Sequence, residues 1–290
     1  MKKSKHLNQL LEINLAMFFV STSGALGRYI ALPVPVTIGL RAILALLFLI
    51  LFCKYKGISL KVERAHLLPV LISGLLMGLH WLTYFYALKL SNVAIGMISL
   101  FSYPILTALL EPLLLKTKLQ KAHFLLGFLV LLGIYFLVPS FDLENNYTLA
   151  ICIGTLSALF YALRNILLKT KVAAYNGSML MCYQMGVVAV ILMPFYLTIS
   201  VEEIMNEWQG VMLLALLTTA IGHTMFLNSF KYFSISTVSI LSSVQPVFGI
   251  LIGVAFLNEI PTRNTLIGGA IILSSVVIES IRSSRKKAIS

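Results

Sequence analysis

Ten long apolar runs, separated by short polar segments, set the pattern of this chain, and they cover residues 13–31, 36–52, 67–88, 92–115, 121–139, 147–169, 177–199, 208–230, 234–257 and 264–283. Most are close to the roughly 20 residues that a helix needs to cross a bilayer. Within lipid, every backbone N–H and C=O must be paired inside the segment, so runs of this length predict helices. Transmembrane strands would alternate in polarity over about ten residues, which these runs do not. We therefore predict an all-α integral membrane protein with ten transmembrane helices.

Composition agrees with this pattern, because 59% of the 290 residues are hydrophobic and only 11% are charged. Soluble domains carry roughly 25% charged residues. The formal charge of +12 is compatible with a nucleic-acid partner, but the basic residues lie in short segments between apolar runs, so we expect no such partner. The cysteines are far apart and lack metal-ligand spacing. The sequence predicts no metal and no cofactor.

The basic residues also predict the orientation of the chain. If the N-terminus is cytoplasmic, 17 of the 22 Lys and Arg residues fall in cytoplasmic segments, and only Lys89 and Arg263 fall in outer loops. Such an excess marks the cytoplasmic side. We therefore predict a multi-pass protein of the inner (cytoplasmic) membrane with cytoplasmic tails at residues 1–12 and 284–290.

The two halves of the chain repeat each other. A shift of 142 residues places Lys89 on Lys231, Pro104 on Pro246 and Gly127 on Gly269. The predicted repeats span residues 13–139 and 147–283, and each contains five helices. Because five is odd, the repeats must enter the bilayer in opposite senses. Inverted repeats are a recurring plan of secondary transporters, with the substrate between the repeats.

Three segments carry a family resemblance: Pro33, Pro35 and Arg41 around the second run, SYPILTALLEPLLLKTKLQ in the fourth, and SSVQPVFGILIGVAFLNEIPTRNTLIGG from the ninth onwards. In these segments the chain resembles the EamA-type drug/metabolite transporter family, over about residues 13–283. The resemblance implies ten helices in two EamA repeats and secondary transport of metabolites or drugs, often as export. The family usually has a glutamate at the end of both the fourth and the ninth helix. Glu259, just after the ninth run, fits this pattern, but the position related to it by the shift is Thr117.

Ionisable groups within a bilayer are candidates for function, because a charge at its centre costs about 2.5–3.5 kcal/mol on insertion scales. Arg41 lies five residues inside the second run and is predicted to contact a substrate carboxylate or to serve the structure. Arg28 and Arg164 lie nearer the ends of their runs, so each either reaches an interface or points inward. His80 and His223 occupy nearly equivalent places and are predicted to relay protons or to bond neighbouring helices.

Two prolines within runs, Pro104 and Pro246, are predicted to kink the fourth and ninth helices beside polar side chains. The side chains predicted to line a substrate cavity, on these helices and others, are Arg41, His80, Trp81, Tyr84, Ser99, Tyr103, Asn165, Gln184, His223, Ser242 and Gln245. Arginine together with aromatic rings suits a carboxylate that carries an organic side chain.

We therefore predict a secondary transporter that exports small metabolites, such as amino acids, by alternating access. Efflux of hydrophobic drugs and uptake of metabolites remain alternatives. A membrane-embedded enzyme is a remote alternative, because it would need clustered acid, base or metal-binding groups. The expected partners are a small-molecule substrate and the lipid bilayer, and the chain is expected to be a monomer or a homodimer.

Overall fold

The computed structural model describes residues 2–116, 121–139, 142–168, 175–229, 231–233, 238, 241–242 and 244–287. These residues form helices joined by short connections, and no strand occurs among them. The first half contains α1 (Lys2–Tyr29), α2 (Val34–Tyr55), α3 (Arg64–Leu90), α4 (Val93–Leu100), α5 (Tyr103–Leu114) and α6 (Lys121–Leu137). The second half contains α7 (Asn146–Leu168), α8 (Gly177–Ile191), α9 (Met193–Tyr196), α10 (Val201–Asn206), α11 (Trp208–Leu213), a π-helix (Leu214–His223), α12 (Thr224–Ser229), α13 (Gln245–Leu257) and α14 (Arg263–Lys287).

Several of these helical stretches are long and apolar enough to cross a membrane. Within the described ranges, six reach this length: Asn8–Tyr29, Val34–Tyr55, Arg64–Leu90, Val93–Leu114, Asn146–Leu168 and Trp208–Ser229. Four apolar helices are shorter: Phe124–Leu137, Gly177–Ile191, Gln245–Leu257 and Arg263–Ile278. The helical class of the fold is thus as the apolar runs predict, and the count of ten crossings stays a prediction.

Asparagine side chains fix several helix ends. The Asn92 side chain accepts a hydrogen bond from the N–H of Ile95 at 2.9 Å, and Asn176 does the same for Ser178 at 2.8 Å. Each supplies an acceptor to an N–H group that the first helical turn leaves unpaired. Asn258 ends α13 in the left-handed conformation at φ 56°, which asparagine tolerates better than most residues.

The helices differ from the apolar runs in two instructive places. α1 begins at Lys2, well before the apolar run, because the polar residues ahead of residue 13 include good helix formers and continue the same helix. The fourth run is interrupted at Phe101 and Ser102, so α4 and α5 are separate helices. Pro104 stands in the first turn of α5 and Pro246 in the first turn of α13, positions where a missing N–H costs no helical bond.

Small residues allow the closest helix contacts. Gly74 and Gly78 of α3 face Val187 and Val188 of α8. A Cβ atom added to Gly154 of α7 would lie only 2.0 Å from the Ser99 Oγ of α4. Such small-residue faces let neighbouring backbones approach in membrane bundles. α3, α4 and α7 also pack against one another. The candidate site lies in this buried region.

Candidate functional site

Arg41 is the charged residue at the centre of the candidate site. Its side chain is fully buried, and its guanidinium carbon lies 3.6 Å from the centre of the Trp81 ring. The Nε donates to Thr219 Oγ1 at 2.6 Å and Nη2 donates to Thr218 Oγ1 at 2.8 Å. A desolvated cation over an aromatic ring gains about 2 kcal/mol. These neutral partners hold the guanidinium in place but leave its charge uncompensated.

The two threonines lie in the π-helix, which explains how neighbours in sequence reach one guanidinium. Consecutive residues of an α-helix point about 100° apart. The π-helix is wider, with i→i+5 hydrogen bonds, and such segments occur frequently at functional sites. Thr218 and Thr219 each also donate to the carbonyl of Leu214, the latter at 3.3 Å. Their lone pairs therefore remain turned towards Arg41.

Arg164 of α7 is the second fully buried guanidinium. It donates to Gln184 Oε1 at 2.7 Å and to Asn165 Oδ1 at 3.0 Å, and it also contacts the sulfur of Met181 at 3.8 Å. All three partners are neutral. The sequence allowed the Arg164 side chain either to reach a membrane interface or to point into the bundle. In the structure it points inward, because α8 packs over it.

Each of the two arginines lies close to an aromatic ring. Trp81 lies under Arg41, and the next residue, His80, stacks on Tyr161 with the ring centres 4.5 Å apart. Tyr161 in turn lies 5.7 Å from the guanidinium carbon of Arg164. We call Trp81, His80 and Tyr161 the aromatic ladder. Both guanidiniums are fully buried, so the ladder has a cation near each of its ends.

His80 of α3 forms hydrogen bonds with Ser157 of α7. A bond to a neighbouring helix was one of the two roles predicted for this histidine. Ser157 donates its single hydroxyl proton to the carbonyl oxygen of His80 at 2.8 Å. The same hydroxyl lies 2.8 Å from His80 Nδ1, so it must accept there and Nδ1 carries the proton. His223 lies against Trp81 with ring centres 5.6 Å apart, and its Nδ1 has no hydrogen-bond partner within the described ranges.

Several buried polar atoms have no hydrogen-bond partner among the residues that the structure describes. They are Arg41 Nη1, Tyr84 Oη, Arg164 Nε, Ser178 Oγ, Gln184 Nε2, His223 Nδ1 and Thr224 Oγ1. Buried polar atoms are nearly always hydrogen-bonded, so each exception calls for an explanation. Among the described residues, no cluster of His, Cys, Asp or Glu could hold a metal ion. A polar small molecule that fills the same region would satisfy these atoms.

The remaining predicted cavity residues lie in three places. Tyr103 packs edge-on against Tyr161 of the aromatic ladder, with ring centres 4.8 Å apart. Its hydroxyl lies 3.1 Å from Ser242 Oγ, with which it forms a hydrogen bond. Ser99 instead bonds the carbonyl of Ile95 in its own helix at 2.7 Å and faces α7. Gln245 begins α13 with a partly exposed side chain.

Sequence reasoning missed four contacts of the site. Thr218 and Thr219 looked like ordinary residues of an apolar run, and nothing in the sequence marks a π-helix. Ser157 and Tyr161 stand four residues apart on α7, a spacing that places them on one helix face. Arg164 follows Tyr161 by three residues, so it lies on the same face. This shared face was the one signal in the sequence for Ser157 and Tyr161.

A second polar cluster lies where several helices end, and we call Arg28, Lys89 and Glu259 the latch. Arg28 Nε donates to Glu259 Oε1 at 3.0 Å, and the other carboxylate oxygen accepts from the N–H of Val93 at 2.7 Å. Arg28 Nη1 also donates to the carbonyl of Lys89 at 2.9 Å, and the Lys89 ammonium donates to the carbonyls of Arg28 and Ile30. The latch thus joins the ends of α1, α3 and α13 to the start of α4.

Comparison with known proteins identifies the family. The sequence profile of the EamA-like transporter family matches the chain twice, over residues 10–138 and 148–281. The chain is 25% identical over 276 residues to the pseudopaline exporter CntI of Pseudomonas aeruginosa (strain UCBPP-PA14), covering 94% of each protein. It is 26% identical over 196 residues to an uncharacterized transporter of Archaeoglobus fulgidus, covering 68% of this chain and 70% of that protein.

A solved crystal structure shares the fold, with a TM-score of 0.68 at 18% sequence identity, over 96% of this chain and 98% of that chain. The two profile matches together span nearly the whole sequence. Their duplication agrees with the repeat seen in the 142-residue shift. This multi-pass membrane protein therefore belongs to the EamA-like transporter family.

Proposed function

We propose that this protein is a secondary transporter that exports small carboxylate-bearing metabolites, such as amino acids, across the cytoplasmic membrane by alternating access. The observation that carries the proposal is Arg41, whose buried guanidinium has neutral partners and, among the described residues, none for its Nη1. A substrate carboxylate would supply both the missing acceptor and the missing negative charge. The aromatic ladder would contact the organic part of the same molecule.

Two features support binding between two inverted repeats of five helices. Arg41 belongs to the half matched over residues 10–138, whereas its partners Thr218 and Thr219 belong to the half matched over 148–281. α3 packs on α7 as the π-helix packs on α1, while α2 pairs with α8 and α6 pairs with α14. A two-fold relation between the halves accounts for this pattern. Substrate sites of such transporters lie at the repeat interface.

Two observations favour export. The relative from Pseudomonas aeruginosa is named an exporter. With both termini in the cytoplasm, the latch closes the outer end of the bundle, so a substrate would enter this conformation from the cytoplasm. Release would then require the latch to open and a matching closure to form at the inner end.

Transport by the purified full-length chain in proteoliposomes tests the proposal. Labelled amino acids and other carboxylates would be offered, with and without an imposed proton gradient. We expect saturable transport of a carboxylate, and the response to the gradient separates proton coupling from exchange or facilitated movement. If no candidate is moved and one is hydrolysed or transferred instead, the proposal is wrong.

Replacing Glu259 by alanine should open the outer end of the bundle. The change removes a partly exposed ion pair and a charge-assisted bond to the start of α4, of which the latter contributes about 1.5–3 kcal/mol. Met97 of α4 packs against α13 at Gly249. In a protein whose Cys152 is changed to serine, Met97→Cys should react about tenfold faster with a membrane-impermeant maleimide.

The exposed Glu202 of α10 provides the matched control, because Glu202→Ala removes the same charge away from the latch. Equal labelling rates in the two variants would show that the latch does not hold the outer end closed.

Efflux of hydrophobic compounds is a second candidate, and one observation favours it. A groove of about 480 Å³ between α2, α3 and α8 is lined almost entirely by apolar groups, among them Leu46, Ile50, Leu71 and Val187. Transport of a neutral hydrophobic dye that survives loss of Arg41 would favour this candidate over carboxylate export.

A further inference from the structure

We propose that the substrate carries two separate anionic groups, one bound by Arg41 and the other by Arg164, so that a dicarboxylate is its simplest form. The inference rests on the proposed function and adds the substrate class to it. Three independent features of the site support it: its charge, its unpartnered donors and its shape.

The charge of the site is the first feature. Both guanidiniums are fully excluded from solvent, and their hydrogen-bond partners in the described part of the chain are uncharged. Among the described side chains, Glu259 pairs with Arg28 and Glu63 with His66, both away from the site. Burying a cation without a counter-charge is strongly unfavourable. Two such cations in one region therefore indicate a ligand with two negative charges.

The unpartnered donors are the second feature. Arg41 Nη1, Arg164 Nε and Gln184 Nε2 are buried, lack partners among the described residues and can only donate hydrogen bonds. One of these donors belongs to each arginine, and the third belongs to Gln184, which already accepts a hydrogen bond from Arg164. The ligand must therefore present acceptors at both guanidiniums. Carboxylate oxygens are the natural match, because they accept several bonds and carry charge.

The shape of the site is the third feature. Arg41 of α2 lies over Trp81, and Arg164 of α7 lies near Tyr161. His80, the neighbour of Trp81 in the chain, stacks on Tyr161. A single small anion would meet one guanidinium and leave the other uncompensated. Two anionic groups joined by an organic spacer would reach both, and the spacer would lie along the rings.

Binding to the purified full-length protein in lipid nanodiscs tests the inference. The probes are succinate, glutarate and adipate, each compared with its monoamide, in which one carboxylate becomes a neutral group of the same size. Inorganic phosphate serves as a single compact anion. We expect at least one dicarboxylate to bind about tenfold or more tightly than its monoamide and than phosphate, since one charged hydrogen-bonded contact accounts for such a factor.

Two variants locate the effect. In Arg41→Gln and in Arg164→Gln, the advantage of the dicarboxylate over its monoamide should fall below about threefold, because one anionic group has lost its partner. Arg263→Gln removes an exposed arginine at the start of α14 and should keep the full advantage.

The outcomes separate the inference from the proposed function. Transport of a metabolite with a single anionic group, without any dicarboxylate preference at any chain length, overturns the inference and leaves the transporter intact. Tight dicarboxylate binding without transport of any carboxylate would support the inference and contradict the proposed function. A preference that persists in both glutamine variants, or phosphate binding as tight as the best dicarboxylate, also overturns the inference.

Discussion

Replacing Arg41 by alanine should abolish carboxylate transport and leave the folded protein at least as stable as before. A hydrogen bond to a charged partner contributes about 1.5–3 kcal/mol, which corresponds to roughly a tenfold to a hundredfold loss of affinity. Stability should not suffer, because the change removes a buried cation that no carboxylate compensates among the described side chains. Transport in proteoliposomes and thermal unfolding in detergent measure the two effects separately.

Two comparison variants make this result interpretable. Arg41→Lys keeps the charge but loses the planar fork that contacts Trp81 and both threonines, so we expect intermediate transport. Arg263→Ala should behave as the unchanged protein. If Arg41→Ala protein is absent from the membrane, or if it is present and transports at the original rate, Arg41 does not bind the substrate.

Replacing Gly154 by leucine should prevent assembly of the bundle. Even a Cβ atom at this position would lie 2.0 Å from Ser99 Oγ and 2.9 Å from Ser99 Cβ. Ser99 is held by its own helix, since its hydroxyl donates to the carbonyl of Ile95. α4 and α7 would therefore have to separate, and overpacking of this kind typically costs about 1–3 kcal/mol, or more where a backbone must move.

Gly186 of α8 is the matched control, because a Cβ atom there would meet nothing within 4 Å. Gly186→Leu should be neutral or slightly stabilising, since leucine favours a helix by about 1 kcal/mol over glycine. Size-exclusion profiles and unfolding temperatures of the two variants give the comparison. Equal behaviour would mean that α4 and α7 are not in close contact at Gly154.

The sequence predicts the class of fold and the family because both depend on features that are local. Apolar runs need only their length to predict helices, and the family resemblance is confirmed by two profile matches. Arg41 stood out because a charge within an apolar run is rare. The ten crossings, the orientation and the cavity residues remain predictions.

The depth of Arg164 could not be predicted, because a long side chain near the end of a run can point either way. Its direction depends on which face of α7 packs against α8, and helices that are apolar all round do not reveal that face. The latch was hidden for a different reason. Glu259 and Arg28 are 231 residues apart, so only the folded chain shows that they meet.

The π-helix has a consequence for how the two halves are compared. Each residue of a helix with i→i+5 hydrogen bonds turns through a smaller angle than a residue of an α-helix. The π-helix ends at His223. The 142-residue shift relates His80 to residue 222, so His223 stands one position beyond the expected place. Residue numbers are therefore a poor guide to equivalence here. Alignments of the two halves should pair these helices by direction around the axis, not by position along the chain.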